Sequence, residues 1–144
     1  MTDPAEVTGA DTERIHELMP LCRTLGVRAE RLSPSGVALS IGWAEGLCTG
    51  GGLLHGGVIM ALADSAAGAC AYLNLPATAA GTSTIESKTN FLGAVTSGTV
   101  TATATPLHVG RSTIVVETEL RDGSGRLVAK VTQTQAVLGP RQAP

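Results

Sequence analysis

Residues 56–75, GGVIMALADSAAGACAYLNL, constrain this chain more than any other segment. The run consists of apolar and small side chains broken by one carboxylate, Asp64. Its length is that of a membrane span. Most of it is Ala and Gly, and Asp64 lies mid-run; both features oppose insertion into lipid. A helix apolar on all sides is otherwise one enclosed by its own protein. The run therefore predicts a buried helix, stopped by Pro76 just past its end, and the rest of the chain must cover it.

The covering material follows. From residue 81 the pattern changes to period two. TSTIESKTNFL (82–92) reads as a strand, and alternating Thr and Ala or Val over 99–105 reads as the next. HVGR (108–111) reads as a turn, STIVVETEL (112–120) as a β-branched strand, RDGSGR (121–126) as a hairpin loop with Asp-Gly, and LVAKVTQTQAVL (127–138) as a further strand. Residues 36–41 alternate weakly and add a fifth. Consecutive hairpins imply an antiparallel meander. The expected fold is α+β, an antiparallel sheet curled around one long central helix. Upstream, DTERIHELMPLCRTL (11–25) reads as a short helix capped by Asp11 or Thr12, kinked or ended at Pro20, with His16 on its surface. Residues 43–55 form a glycine-rich loop, and 1–10 and 139–144 are expected tails around a single domain, 11–138.

Composition excludes several functions. The 144 residues fit one domain. Only 15% are charged and 43% are hydrophobic, which suggests wide burial, including burial between subunits. A net charge of -2 leaves no cationic surface for a nucleic acid, and Trp43, Tyr72 and Phe91 are the only aromatics available for stacking. Cys22, Cys48 and Cys70 form no CxxC pair, so reduced thiols are expected, with no disulfide or bound metal. The start, MTDPAEVTGADTER, lacks the apolar stretch of a signal peptide, and a cytoplasmic protein is expected.

Two features carry chemistry. Asp64 has Met60, Ala61, Ala67 and Gly68 at helical contact spacing, so no cation on its own helix balances it. It is either a structural carboxylate held by a neighbouring strand or a general base or nucleophile. His55-Gly56-Gly57 stands at the helix start. Glycines there let a ligand approach the backbone, and free N–H groups with the helix dipole favour a developing negative charge. The plain alternative is a tight turn capped by His55. Gly56 and Asp64 are eight residues apart, roughly 12 Å along a helix at about 1.5 Å per residue. One chain cannot bring both to one reacting carbonyl. Two antiparallel copies related by a two-fold axis could, giving two equivalent sites. Ala61, Gly68 and Ala71 would permit close approach, or could face the sheet.

The segments LLHGGVIMALADSAAG, TSTIESKTNFLGA and PLHVGRSTIVVETELRDGSGRLVAKVTQTQAVL resemble the hotdog-fold acyl-coenzyme A thioesterases of the phenylacetate-degradation type, over about residues 35–138. The resemblance implies a hotdog dimer, often paired into a tetramer, with sites at the dimer interface. It implies hydrolysis of an acyl- or aryl-coenzyme A thioester, with no cofactor beyond the coenzyme A of the substrate. The acidic catalytic position falls on Asp64 and the carbonyl-polarising amide on Gly56, beside His55 and Gly57. A hydroxyl that orients the attacking water falls on Thr84, or on Ser83 if the alignment slips by one. Arg111 after Gly110, and Lys88, are the candidates for coenzyme A phosphates. Thr49 occupies the position where many relatives carry Asn or Gln, and Gly93-Ala94 follow the Phe-Leu pair.

Plainer roles stand beside these. Arg111 and His108 suit a solvated turn, Lys88 a surface pair with Glu86 worth under about 1 kcal/mol, and Thr84 ordinary strand packing. Two other functions fit the same fold. One is an acyl-coenzyme A sensor without catalysis. The other is a hydroxyacyl-thioester dehydratase, which LLHGGV disfavours because it lacks the proline-rich context of such an enzyme's His.

Overall fold

In the computed structural model, which describes residues 7–141, the apolar run folds as helix α3, Gly56–Leu73. Two helices precede it, α1 (Gly9–Leu18) and α2 (Pro20–Leu25). Six strands complete the chain: β1 (Arg28–Ser33), β2 (Gly36–Gly42), β3 (Gly81–Phe91), β4 (Thr99–Val109), β5 (Thr113–Asp122) and β6 (Leu127–Leu138). All pair antiparallel in one sheet of order β1-β2-β4-β5-β6-β3. α3 lies on the sheet's inner face. Leu62, Ala63, Ala66, Ala67, Cys70 and Ala71 are buried there with Leu39, Ile41, Ala102, Ala104, Ile114 and Val116 of the strands. Small side chains on both sides let the backbones approach closely.

The alternation that predicts strands also assigns their faces. On β5, Ile114, Val116, Thr118 and Leu120 point inward and are buried. On β6 the inward row is Val131, Gln133 and Gln135. α3 ends at Asn74, whose Nδ2 donates to the carbonyls of Cys70 and Pro34 at 2.8 Å each, tying the helix end to the β1–β2 turn. In the β5–β6 turn, the Ser124 hydroxyl, with help from Arg126, holds the half-buried Asp122 carboxyl down at about 2.

Several expectations are corrected. The described residues form six strands, not five, because RAERLS forms β1 although only Ala29 of it is fully buried. The sheet is not a simple meander: β4, β5 and β6 follow in order, but the chain crosses through α3 to place β3 at the far edge beside β6. Residues 108 and 109 continue β4 rather than turning, since a bulge at Leu107 re-registers His108 opposite Val115. The first helix is two helices. Met19 separates them, and Pro20 opens the second, where its missing N–H costs nothing. α1 starts at Gly9, capped by Thr8, whose N–H and hydroxyl both donate to Asp11. Gly9 and Ala10 therefore belong to a helix and not to a tail; residues 1–6 and 142–144 lie outside the described residues. His16 is not a plain surface residue, because its Nε2 lies 2.7 Å from the Val27 carbonyl oxygen and donates to it.

α3 itself is not enclosed on all sides. It is long and apolar enough to cross a membrane by length and composition, yet one side packs on the sheet and the other is open. Gly57, Met60, Asp64 and Tyr72 are exposed and Ala61 and Gly68 half-buried, all along one stripe, whereas Ala71 faces the core. The neighbouring edge strand β3 is exposed along most of its length, with Ile85 at 64% and Phe91 at 55% accessible. An edge of eleven residues without a proline is a template for another strand.

Candidate active site

Asp64 projects from the open stripe of α3 toward the start of β3. Its Oδ1 accepts from Thr84 Oγ1 at 2.8 Å and from Gln133 Nε2 at 2.9 Å. No hydrogen bond from the described residues reaches Oδ2. The carboxylate is thus exposed, held by two neighbouring strands, and free on one oxygen. The hydroxyl at Thr84, and not the one at Ser83, makes the contact, because Thr84 faces inward in register with Gln135. Thr84's one proton is committed to Asp64, so the hydroxyl holds the carboxylate rather than donating to a water.

Sequence reasoning missed Gln133 and Gln135. Both are buried inward residues of β6. The signal was present: VTQTQAV puts two amides on the face that Val131 assigns to the core, and buried amides need partners.

At the start of α3, His55 is the helix cap. Its Nδ1 accepts from Gly57 N–H at 2.8 Å, which places the ring proton on Nε2. A Cβ on residue 57 would stand 2.9 Å from that nitrogen, so the cap requires glycine there. The amides of Val58 and Ile59 bond back to the His55 carbonyl. Gly56, as the first helical residue, has no acceptor within the helix, and its N–H has none elsewhere among the described residues. One unspent amide therefore remains at the positive end of α3. The Phe91 ring packs against Gly56, with ring carbons 3.2 Å from where a Cβ would lie. Gly56 thus sits by the end of β3 and Asp64 by its beginning, and a single chain keeps them apart.

A cavity of about 370 Å³ opens beside Asp64. Apolar groups line most of it, among them Ile15, Leu18, Met19, Leu32, Tyr72 and Leu73, with Thr84 and Gln135 next to the carboxylate. Two buried thiols, Cys22 and Cys70, lie outside its lining. Burial pushes Cys70 up to about 11 and raises Cys22, where the nearby charge of Asp64 adds a smaller push.

The remaining candidates are more peripheral. Thr49 is exposed in the glycine-rich loop, its amide bonded to the Leu53 carbonyl. Lys88 donates to Asn90 Oδ1 at 2.9 Å and forms no ion pair with Glu86. Gly110 closes the β4–β5 turn through its amide to Thr113. Arg111 beside it is exposed, with no hydrogen bond or ion pair among the described residues.

An antiparallel sheet wrapped around one central helix is the hotdog architecture. The family model described as the thioesterase superfamily matches residues 51–129. The 1,4-dihydroxy-2-naphthoyl-CoA hydrolase of Listeria monocytogenes is 31% identical over 126 residues, covering 86% of this chain and all of that protein. A Bacillus subtilis protein with a provisional esterase name is 40% identical over 87 residues, 60% of this chain and 69% of its own. A substituted form of a Pseudomonas aeruginosa thioesterase superposes with a TM-score of 0.83 at 27% identity, over 92% of this chain and 97% of the other. This chain belongs to the thioesterase superfamily and is a thioester hydrolase.

Proposed function

We propose that the chain hydrolyses an acyl-coenzyme A thioester to the free acid and coenzyme A, at a site that two copies build together. The supporting observation is the pair of unspent groups on α3: the Gly56 amide and Asp64 Oδ2. They lie about 12 Å apart by helical rise, too far to act on one carbonyl from one chain. Antiparallel apposition of two α3 stripes brings each amide to the other chain's carboxylate. The exposed β3 edge supports the same geometry, because two such edges can pair and continue the sheet.

In this site the thioester oxygen accepts from Gly56 N–H of one copy, where the helix end stabilises the developing oxyanion. Asp64 of the other copy takes a proton from water through Oδ2, and the water attacks the carbonyl carbon. The tetrahedral intermediate collapses with cleavage of the C–S bond, and the departing coenzyme A sulfur takes the proton back from Asp64, which restores the base. Thr84 keeps the carboxylate aimed. The apolar cavity beside Asp64 receives the acyl group, and its size suits an aryl or medium alkyl chain. The naphthoyl substrate in the name of the Listeria relative agrees with that choice. Arg111 is free to meet a phosphate of the coenzyme. The three free thiols suit a reducing cytoplasm.

A panel of aryl- and alkyl-coenzyme A esters tests the reading by thiol release. The expected result is turnover of at least one apolar acyl class with kcat/KM of about 10⁴ M⁻¹s⁻¹ or more. Tight binding across the panel with no thiol released would leave a sensor in its place. Hydration of an enoyl ester would make the protein a dehydratase.

A further inference from the structure

We infer that Gln133 and Gln135 are positioning residues that aim Asp64 through a one-way hydrogen-bond relay; the inference rests on the proposed hydrolytic role of Asp64. Both side chains are buried, at 0% and 1% accessible. Gln133 Nε2 donates to Asp64 Oδ1 at 2.9 Å and to Ser87 Oγ at 3.0 Å. Its Oε1 accepts from Gln135 Nε2 at 3.1 Å, which also donates to Thr84 Oγ1 at 2.8 Å. The Thr82 hydroxyl donates to the Ala136 carbonyl at 2.9 Å and stands 3.3 Å from Gln135 Oε1, a weaker share of the same proton.

The direction of this chain is forced. A carboxylate only accepts, so Gln133 must turn its nitrogen toward Asp64. Its oxygen then faces Gln135, which must present nitrogen, and Gln135's oxygen turns away toward Thr82, whose proton it shares with the Ala136 carbonyl. Gln135 thus stands behind both donors to Asp64, and both donors end on the same oxygen. Oδ1 is engaged twice and Oδ2 is left for the proton in transit. Stability alone does not call for this arrangement. Apolar side chains of similar volume at 133 and 135 would fill the core without any amide to satisfy, a replacement that is often neutral or stabilising. The amides make sense as a fixed mount for a group whose orientation sets the rate.

The test is a pair of variants and a cycle. Gln133→Met keeps the volume and removes the donor; Gln133→Glu keeps the shape and Gln135's acceptor but sets a second carboxyl against Asp64, which either repels it or shares its proton. Each is expected to lower kcat about 10- to 100-fold, the cost of a misplaced catalytic group, with KM within about threefold and the melting transition retained. In an Asp64→Asn background, Gln133→Met is expected to cause no further loss, because it acts only through Asp64. Full turnover in both single variants, or an additive loss in the cycle, overturns the relay while Asp64's role stands. Failure of both variants to fold also overturns it, since the glutamines would then be scaffold. Normal turnover of Asp64→Asn alone would instead remove the hydrolytic reading itself.

Discussion

Asp64→Asn is expected to lower kcat for the best thioester by about a hundred- to ten-thousand-fold, the range typical of a lost general base. The substitution is close to isosteric. The Asn oxygen can still accept from Thr84 Oγ1 and Gln133 Nε2, so the two bonds that hold the side chain survive. What disappears is the basic oxygen on the free side. The fold is expected to persist, because residue 64 sits on the exposed stripe of α3 and fills no core volume. Steady-state thiol release together with a melting curve reads both parts. Turnover within a few-fold of the parent protein would take Asp64 out of the chemistry.

The second large effect concerns a group that no side-chain truncation can remove. Gly56→Pro deletes the one free amide at the start of α3 and is expected to cost about a hundred- to a thousand-fold in kcat, the usual consequence of losing an oxyanion donor. Proline is compatible with this place. It is favoured as the first helical residue, and His55 before it, at φ -63 and ψ 134, already has the extended backbone that a residue preceding proline requires. Gly56→Ala is the control. It adds the same Cβ against the Phe91 ring, 3.2 Å away, but keeps the N–H. That ring is 55% accessible and can move aside, so Ala is expected to retain most of the turnover. Equal losses in the two variants would show that bulk, not the amide, is what the site rejects.

The central helix is legible in the sequence because a twenty-residue run of apolar and small side chains, broken only by Asp64 and Asn74, has to be buried. Its open stripe is legible only in part: Asp64 marks it, and Ala61 and Gly68 suit close approach, but Gly57, Met60 and Tyr72 read as the same mixture as the buried side, and Ala71 belongs to the core. Strand β1 hides for the opposite reason: an edge strand needs little burial, and RAERLS offers Ala29 and Leu32 against four polar residues. The placement of β3 is a property of the crossing through α3, which local periodicity does not encode. The separation of Gly56 from Asp64 follows from helical rise, so the proposed site's use of two chains starts from the spacing of the two residues. The partners of Asp64 come from strands 20 and 69 residues further along the chain. Of these, Thr84 is reached only by resemblance. Gln133 needed the further step of asking what two inward amides would bond to.

Mixing the two inactive proteins tests the shared site most directly. Asp64→Asn chains keep an intact Gly56, and Gly56→Pro chains keep an intact Asp64. In a mixed dimer one site receives both intact groups and the other receives neither. Unfolding the two together and refolding them at equal amounts makes half of the dimers mixed, so activity is expected to return to about one quarter of the parent level. Activity that stays at the sum of the two variants, with mixed dimers demonstrably formed, would place both groups' chemistry within single chains and contradict the account.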